Sequence, residues 1–143
     1  MKWPTGWNGE IQMKPLSDDT GSEQRIYVCR SDELEDSGKG ASFDVMLQGA
    51  KKARAFVVRY QGQVHGYINR CPHLGAELDW RRDFFFSRSG HKLICALHGA
   101  TFSPVDGAYL AGPCETGLTP VRVVELDGAV YWLPDELISF PAV

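Results

Sequence analysis

The chain has no stretch approaching the roughly 18 consecutive apolar residues that a membrane-spanning helix needs. It has no excess of basic charge either. Fifteen Lys and Arg stand against eighteen Asp and Glu, a formal net charge of -3, with a pI near 5.8. A nucleic-acid binder shows a basic footprint, and this chain has none. The first residues, Met1-Lys2-Trp3-Pro4-Thr5-Gly6-Trp7, lack the apolar core and small-residue cleavage pattern of a secretory signal. No internal repeat and no low-complexity tract interrupts the chain. These absences lead to the expectation of a cytoplasmic protein that binds neither membrane nor nucleic acid.

What is present is the material of one globular domain: 143 residues, 43% apolar and 23% charged. Fifteen Gly, eight Pro and 11% aromatics favour short strands joined by many turns. Residues 1–23 are weakly patterned and read as an irregular arm; residues 24–143 read as the domain. β-Branched and aromatic runs predict strands at Arg25–Cys29 and Phe43–Leu47. Gln61-Gly62 between Ala53–Tyr60 and Gln63–Asn69 predicts a hairpin, as does Asp127-Gly128 between Pro120–Leu126 and Ala129–Leu133. Two further strands are expected at His91–Cys95 and Thr101–Ser103, and another at Gly107–Leu110 beyond the turn Pro104-Val105-Asp106-Gly107. Ser31 and the acids after it predict a helix start, capped by Ser31, that Gly38 and Gly40 must stop early.

Two stretches carry chemistry. Cys71-Pro72-His73-Leu74-Gly75 follows the first hairpin, and Cys95-Ala96-Leu97-His98-Gly99 follows the strand at 91–95. Each offers a thiol and an imidazole, and twenty-one residues separate His73 from Cys95. Four cysteines in a reducing compartment suggest metal or redox chemistry before disulfides. Two thiolates and two imidazoles complete a four-ligand set, which zinc also accepts. A two-Cys, two-His zinc finger, however, pairs Cys with Cys on a hairpin and His with His on a helix. Here each loop is mixed and no helix carries a pair. The mixed order suits a two-metal cluster in which each loop gives one ligand to each metal, the ligation of a Rieske [2Fe–2S] centre.

At these residues the chain resembles the Rieske [2Fe–2S] ferredoxin family. The resemblance rests on both Cys-His loops, on Phe102, on Asp106-Gly107 and on Gly112-Pro113. It is best over residues 54–133 and extends plausibly from Arg25. It implies an all-β fold: an antiparallel β-sandwich or open barrel with a small inserted cluster-binding subdomain at about 70–115. It implies one Rieske-type [2Fe–2S] cluster, with Cys71 and Cys95 on the buried iron and His73 and His98 on the outer iron. Leu74, Gly75, Leu97 and Gly99 complete the two loops, the glycines admitting backbone close to sulfur, and Gly112-Pro113 forms a third loop over the cluster. The wide spacing between the ligand loops implies a protruding hairpin at Trp80–Ser89.

Respiratory members of the family carry an additional Cys in each cluster loop and join the two as a disulfide. The corresponding places here are Ala76 and Leu97. High-potential members place Ser just after the second His-Gly and Tyr two residues on; here these are Ala100 and Phe102, which cannot donate to sulfur. A midpoint potential at the low end of the Rieske range is therefore expected, with reduction coupled to proton uptake only at alkaline pH. The resemblance implies a one-electron carrier, not an enzyme, receiving electrons from a flavoprotein-type reductase and delivering them to a terminal oxygenase. A small subunit or redox sensor of a larger oxidoreductase and a structural zinc module are the alternatives. Cys29 and Cys114 fit no ligand spacing and are expected to pack. His65 and His91 are expected on solvated surface, and Trp80 and Phe84-Phe85-Phe86 in a small core.

Overall fold

The computed structural model describes residues 24–48, 51–72, 75–97 and 99–139. The arm at 1–23 lies outside them. Eleven strands and one 3-10 turn are formed among the described residues, with no α-helix. The strands are β1 (Ile26–Arg30), β2 (Ala41–Leu47), β3 (Lys51–Tyr60), β4 (Gln63–Ile68), β5 (Leu93–Ile94), β6 (Thr101–Phe102), β7 (Tyr109–Ala111), β8 (Pro120–Val121), β9 (Val123–Leu126), β10 (Ala129–Trp132) and β11 (Ile138–Ser139). All strand pairings are antiparallel. They form a five-stranded sheet in the order β11-β2-β3-β4-β8, a three-stranded sheet β1-β10-β9, and a small sheet β5-β6-β7.

Both expected hairpins form. Gln61 and Gly62 take φ of 51° and 83°, and Asp127 and Gly128 take 51° and 79°. Two successive left-handed residues match the right-handed twist of the flanking strands, which is why Gln-Gly and Asp-Gly serve here. The run expected at 120–126 is divided. β8 pairs with β4 and β9 pairs with β10, so the chain passes from one sheet to the other at Arg122. Alternation alone does not reveal that step, because the residues on both sides keep the same period. β11 adds to the edge of β2 and has no counterpart among the strands expected from sequence. The helix expected at Ser31 is a single turn, Ser31–Glu33, and its cap position is Arg30 rather than Ser31. The Arg30 backbone N–H donates to Glu33 Oε2 at 3.1 Å, while Ser31 N–H donates to Gly128 O at 2.8 Å.

The apolar side chains fall into three clusters. Val45, Ala55, Ile68, Val121, Trp132 and Ile138 fill the space between the larger sheets. Cys29, Leu34, Val57 and Val130 form a second group under β1. The third, built on Phe56, Tyr67, Leu78, Phe85, Phe86, Leu93 and Phe102, holds Cys71, Cys95 and Cys114. Phe85 stacks on Phe56 with centroids 3.8 Å apart, so the segment between the two Cys-His loops is anchored into the main sheet.

Arg59 fastens the sheets together. Its guanidinium donates to Leu34 O, Ser31 O and Gly62 O and to both oxygens of Glu125, the shortest at 2.6 Å. Burial pushes the Glu125 carboxyl up, but the Arg59 hydrogen bonds and charge outweigh it and leave its pKa below the ordinary value. A carboxyl depressed in the folded state stabilises above its unfolded pKa, and that contribution is lost as pH falls through the folded value. We expect Arg59→Met to cost about 2 kcal/mol in a urea melt at neutral pH, since it removes an ion pair with the exposed Glu125 and frees three carbonyls, two of them in part-buried bonds. The difference from the parent protein should shrink as pH falls through and below the ordinary carboxylate range, where Glu125 becomes protonated in both.

Candidate metal centre

β4 runs straight into Cys71 and β5 into Cys95, so each candidate ligand loop is rooted in a strand. The two loops are built alike. In the first, Gly75 N–H donates to Cys71 O at 2.7 Å and Cys71 N–H to Ala76 O at 2.6 Å. In the second, Gly99 N–H donates to Cys95 O at 2.9 Å and Cys95 N–H to Ala100 O at 2.8 Å. Aligned on their cysteines, the hexapeptides read CPHLGA and CALHGA, so Cys, Gly and Ala coincide while His shifts by one place. Gly75 and Gly99 take φ of 76° and 79°. A Cβ on either would meet nothing within 4 Å. Glycine is thus favoured by the left-handed backbone that closes each turn rather than by crowding from neighbouring atoms.

Cys71 and Cys95 are both fully buried, 0% exposed, within the same core cluster. His73, Leu74 and His98 lie outside the described residues, and Pro72 is exposed. Leu97 is 65% exposed on the second loop. Gly112 and Pro113 lie on the third loop, where a Cβ at Gly112 would stand 2.6 Å from Ala100 Cα and 3.1 Å from Gly99 O. That loop therefore rests directly on the second ligand loop. Tyr109 Oη donates to Gly112 O at 2.6 Å and holds it there. Ala100 and Phe102 are fully buried.

Two fully buried cysteines on matched turns, apolar surroundings and a covering loop suit an iron–sulfur cluster, whose sulfur atoms need shielding and thiolate anchors. Cys29 is different. It is buried at the far cluster of β1, where burial first and then the Glu33 carboxylate push its thiol up to about 11. It lies in the cluster under β1, apart from the one that holds Cys71 and Cys95. Cys114 is buried and donates to Thr116 O at 3.3 Å. Both behave as packing residues.

The segment between the loops departs in part from expectation. Phe85 and Phe86 are core, but Trp80 is 54% exposed. It is held by its Nε1–H to Phe86 O at 3.0 Å and packs on Phe84. Its ring therefore lies over the outside of this small core. His91 is exposed, as expected. His65 is half-buried on β4 rather than solvated, and burial lowers its pKa against an opposing pull from Asp106. The strand expected over 91–95 shortens to two residues because Cys95 is already engaged in its turn.

A family model described as the Rieske [2Fe-2S] domain matches residues 24–126. The chain belongs to the Rieske [2Fe-2S] domain family, and its cofactor is the Rieske-type [2Fe–2S] cluster. Among solved structures it is similar to the ferredoxin of carbazole 1,9a-dioxygenase from Nocardioides aromaticivorans IC177. That match has 26% identity and a TM-score of 0.61, covering 78% of this chain and 98% of that one. It also shares its fold with the Sphingomonas yanoikuyae B1 ferredoxin at 24% identity and a TM-score of 0.60, over 78% of this chain and 100% of that one. A third similar structure is a complex of reduced oxygenase and oxidized ferredoxin in carbazole 1,9a-dioxygenase, at 24% identity and a TM-score of 0.59, over 76% of this chain and 92% of that one. No curated protein matches the chain by sequence. No helix among the described residues is long and apolar enough to cross a membrane.

Proposed function

We propose that the chain is a one-electron carrier that takes an electron from a flavoprotein-type reductase and passes it to a terminal oxygenase. Cys71 and Cys95 would hold the cluster from the core side through thiolates, and His73 and His98 from the outer side through neutral imidazoles. The bound cluster supplies a one-electron couple and no bond-making chemistry. The observation that carries this reading is the matched pair of turns presenting Cys71 and Cys95 from one buried core, each with a His two or three residues on.

The chain's own residues prepare the site. β4 and β5 fix the two cysteines, and Phe56, Leu78, Phe85 and Phe102 keep water from that side. Gly112 seats the third loop on Ala100. Leu97 on the second loop, and Tyr109 and Leu110 on the strand running into the third, are exposed apolar residues beside the site. A rim of this kind supports docking of an oxygenase, because a partner that covers it shortens the electron's path and excludes water. We assign the chain no catalytic site. Of the two histidines outside the loops, His65 is half-buried on β4 and His91 is exposed ahead of β5.

Anaerobic reconstitution with iron and sulfide tests the assignment. A Rieske-type EPR signal on reduction is expected, with two irons and two acid-labile sulfides per chain. A colourless protein that retains one zinc and no sulfide would overturn it in favour of a structural zinc module. The midpoint potential should be flat across pH 6 to 8 and fall only at alkaline pH, where the metal's charge makes the outer imidazole N–H groups of the oxidised protein dissociable. A steep slope near pH 7 counts against this.

A further inference from the structure

Asn69 is the buried polar residue of the core among the described residues, 3% exposed, and stands two places before Cys71. Its backbone N–H donates to Arg54 O at 2.8 Å, which keeps it on the β3 register. Both polar atoms of its side chain are paired. Oδ1 accepts the Leu78 N–H at 2.7 Å, and Nδ2 donates to Asp79 Oδ1 at 3.1 Å. The second oxygen of Asp79 accepts the Asp83 N–H at 3.0 Å, and Asp83 in turn accepts from the Ser42 hydroxyl. The carbonyl of Leu78 accepts the Ala96 N–H at 2.9 Å. A continuous path thus runs from the end of β4, two residues before Cys71, across Leu78, to the residue after Cys95.

We propose that Asn69 is a positioning residue that sets the spacing between the two cysteine loops. This rests on the reading of Cys71 and Cys95 as cluster ligands. A buried amide is costly unless every polar atom is paired, and a strand end has cheaper apolar choices. Here the amide ties the chain leaving the first loop to the strand entering it, and Leu78 passes that constraint to the second loop. The donor and acceptor are both specified, since the Leu78 N–H needs an acceptor and the Asp79 carboxylate needs a donor. A shift of Leu78 moves Ala96, and with it the Cys95 thiol relative to Cys71.

The test compares reconstituted wild-type protein with Asn69→Leu, Asn69→Asp and the double variant Asn69→Asp, Asp79→Asn. Asn69→Leu keeps the volume and removes both bonds. Asn69→Asp keeps the acceptor and sets two carboxylates against each other. The double variant exchanges donor and acceptor and should restore the pair. Each single variant is expected to shift the EPR g-values and the midpoint potential and to lose its cluster to a chelator about tenfold faster. The double variant should return all three towards wild type. Arg59→Met, which loosens the sheets far from the loops, should lower the melting temperature and leave the g-values unmoved. Should Asn69→Leu fail to fold, Asn69→Asp and its rescue carry the result. Single variants with lowered melting temperature but wild-type g-values and midpoint overturn the proposal. A wild-type protein that binds no cluster overturns the ligand reading itself.

Discussion

Cys71→Ala is expected to abolish the Rieske-type spectrum, and His98→Cys to replace it with a different one. The two substitutions test opposite sides of the site. Cys71 is fully buried and flanked by a turn whose hydrogen bonds come from its own backbone. Removing its sulfur should leave the loop folded, because those bonds survive. The lost anchor then appears as lost iron and sulfide, with apoprotein stability changed by only about 1 kcal/mol. His98→Cys exchanges a neutral ligand for an anionic one. Added negative charge on the metal disfavours the reduced state, so any cluster that still assembles should have a lower potential and an altered EPR line shape. Cys29→Ala and Cys114→Ala are the matched controls. Both residues are buried and stand outside the two Cys-His loops, and the spectrum of each variant should equal the parent's. Full cluster content with an unchanged spectrum in Cys71→Ala would falsify the ligand assignment.

A midpoint potential on the order of -150 mV is the second expected result, at the bottom of the range known for Rieske centres. The cause lies in Ala100 and Phe102, both fully buried beside the second loop. Neither side chain carries a hydrogen-bond donor. A donor aimed at sulfur stabilises the extra electron of the reduced state, and its absence leaves that electron less favoured. Ala100→Ser and Phe102→Tyr should each raise the potential. A hydrogen bond to a charged acceptor contributes about 1.5–3 kcal/mol, and only the part by which it is stronger in the reduced state raises the potential, so about 65–130 mV is the upper bound for a one-electron couple. The Phe102→Tyr hydroxyl must also find room within a packed core, so the smaller Ala100→Ser change is the cleaner of the two. A clearly positive midpoint in the parent protein would sink the prediction.

The centre was legible in the sequence because its determinants are local. Cys and Gly within five residues of one another specify each turn, and the paired Cys-His motif marks the family, without any long-range information. The hairpins at Gln61-Gly62 and Asp127-Gly128 were legible for the same reason: two residues with positive φ dictate the register of both flanking strands. What escaped the sequence depends on partners far along the chain. The change of sheet at Arg122 follows from which strand each half meets, β4 or β10. Trp80 looks like core by composition, yet its indole N–H binds a carbonyl from outside while Phe85 takes the interior place. The same distance explains Asn69. Its amide reads as an ordinary polar residue at a strand end until Leu78 and Asp79 fold back over it.

The matched turns have one consequence for recognition. Cys, Gly and Ala stand at the same places in both loops, and the same two turn bonds recur in each. A tip with true twofold symmetry would present the same face after half a turn, and an acceptor could land in two equivalent ways. The histidine stands second after the cysteine in one loop and third in the other, so the two loops are unlike at the residue each would offer to the outer iron. A tip built from two such unlike loops would have a direction, and an acceptor that fits it would do so in a single orientation.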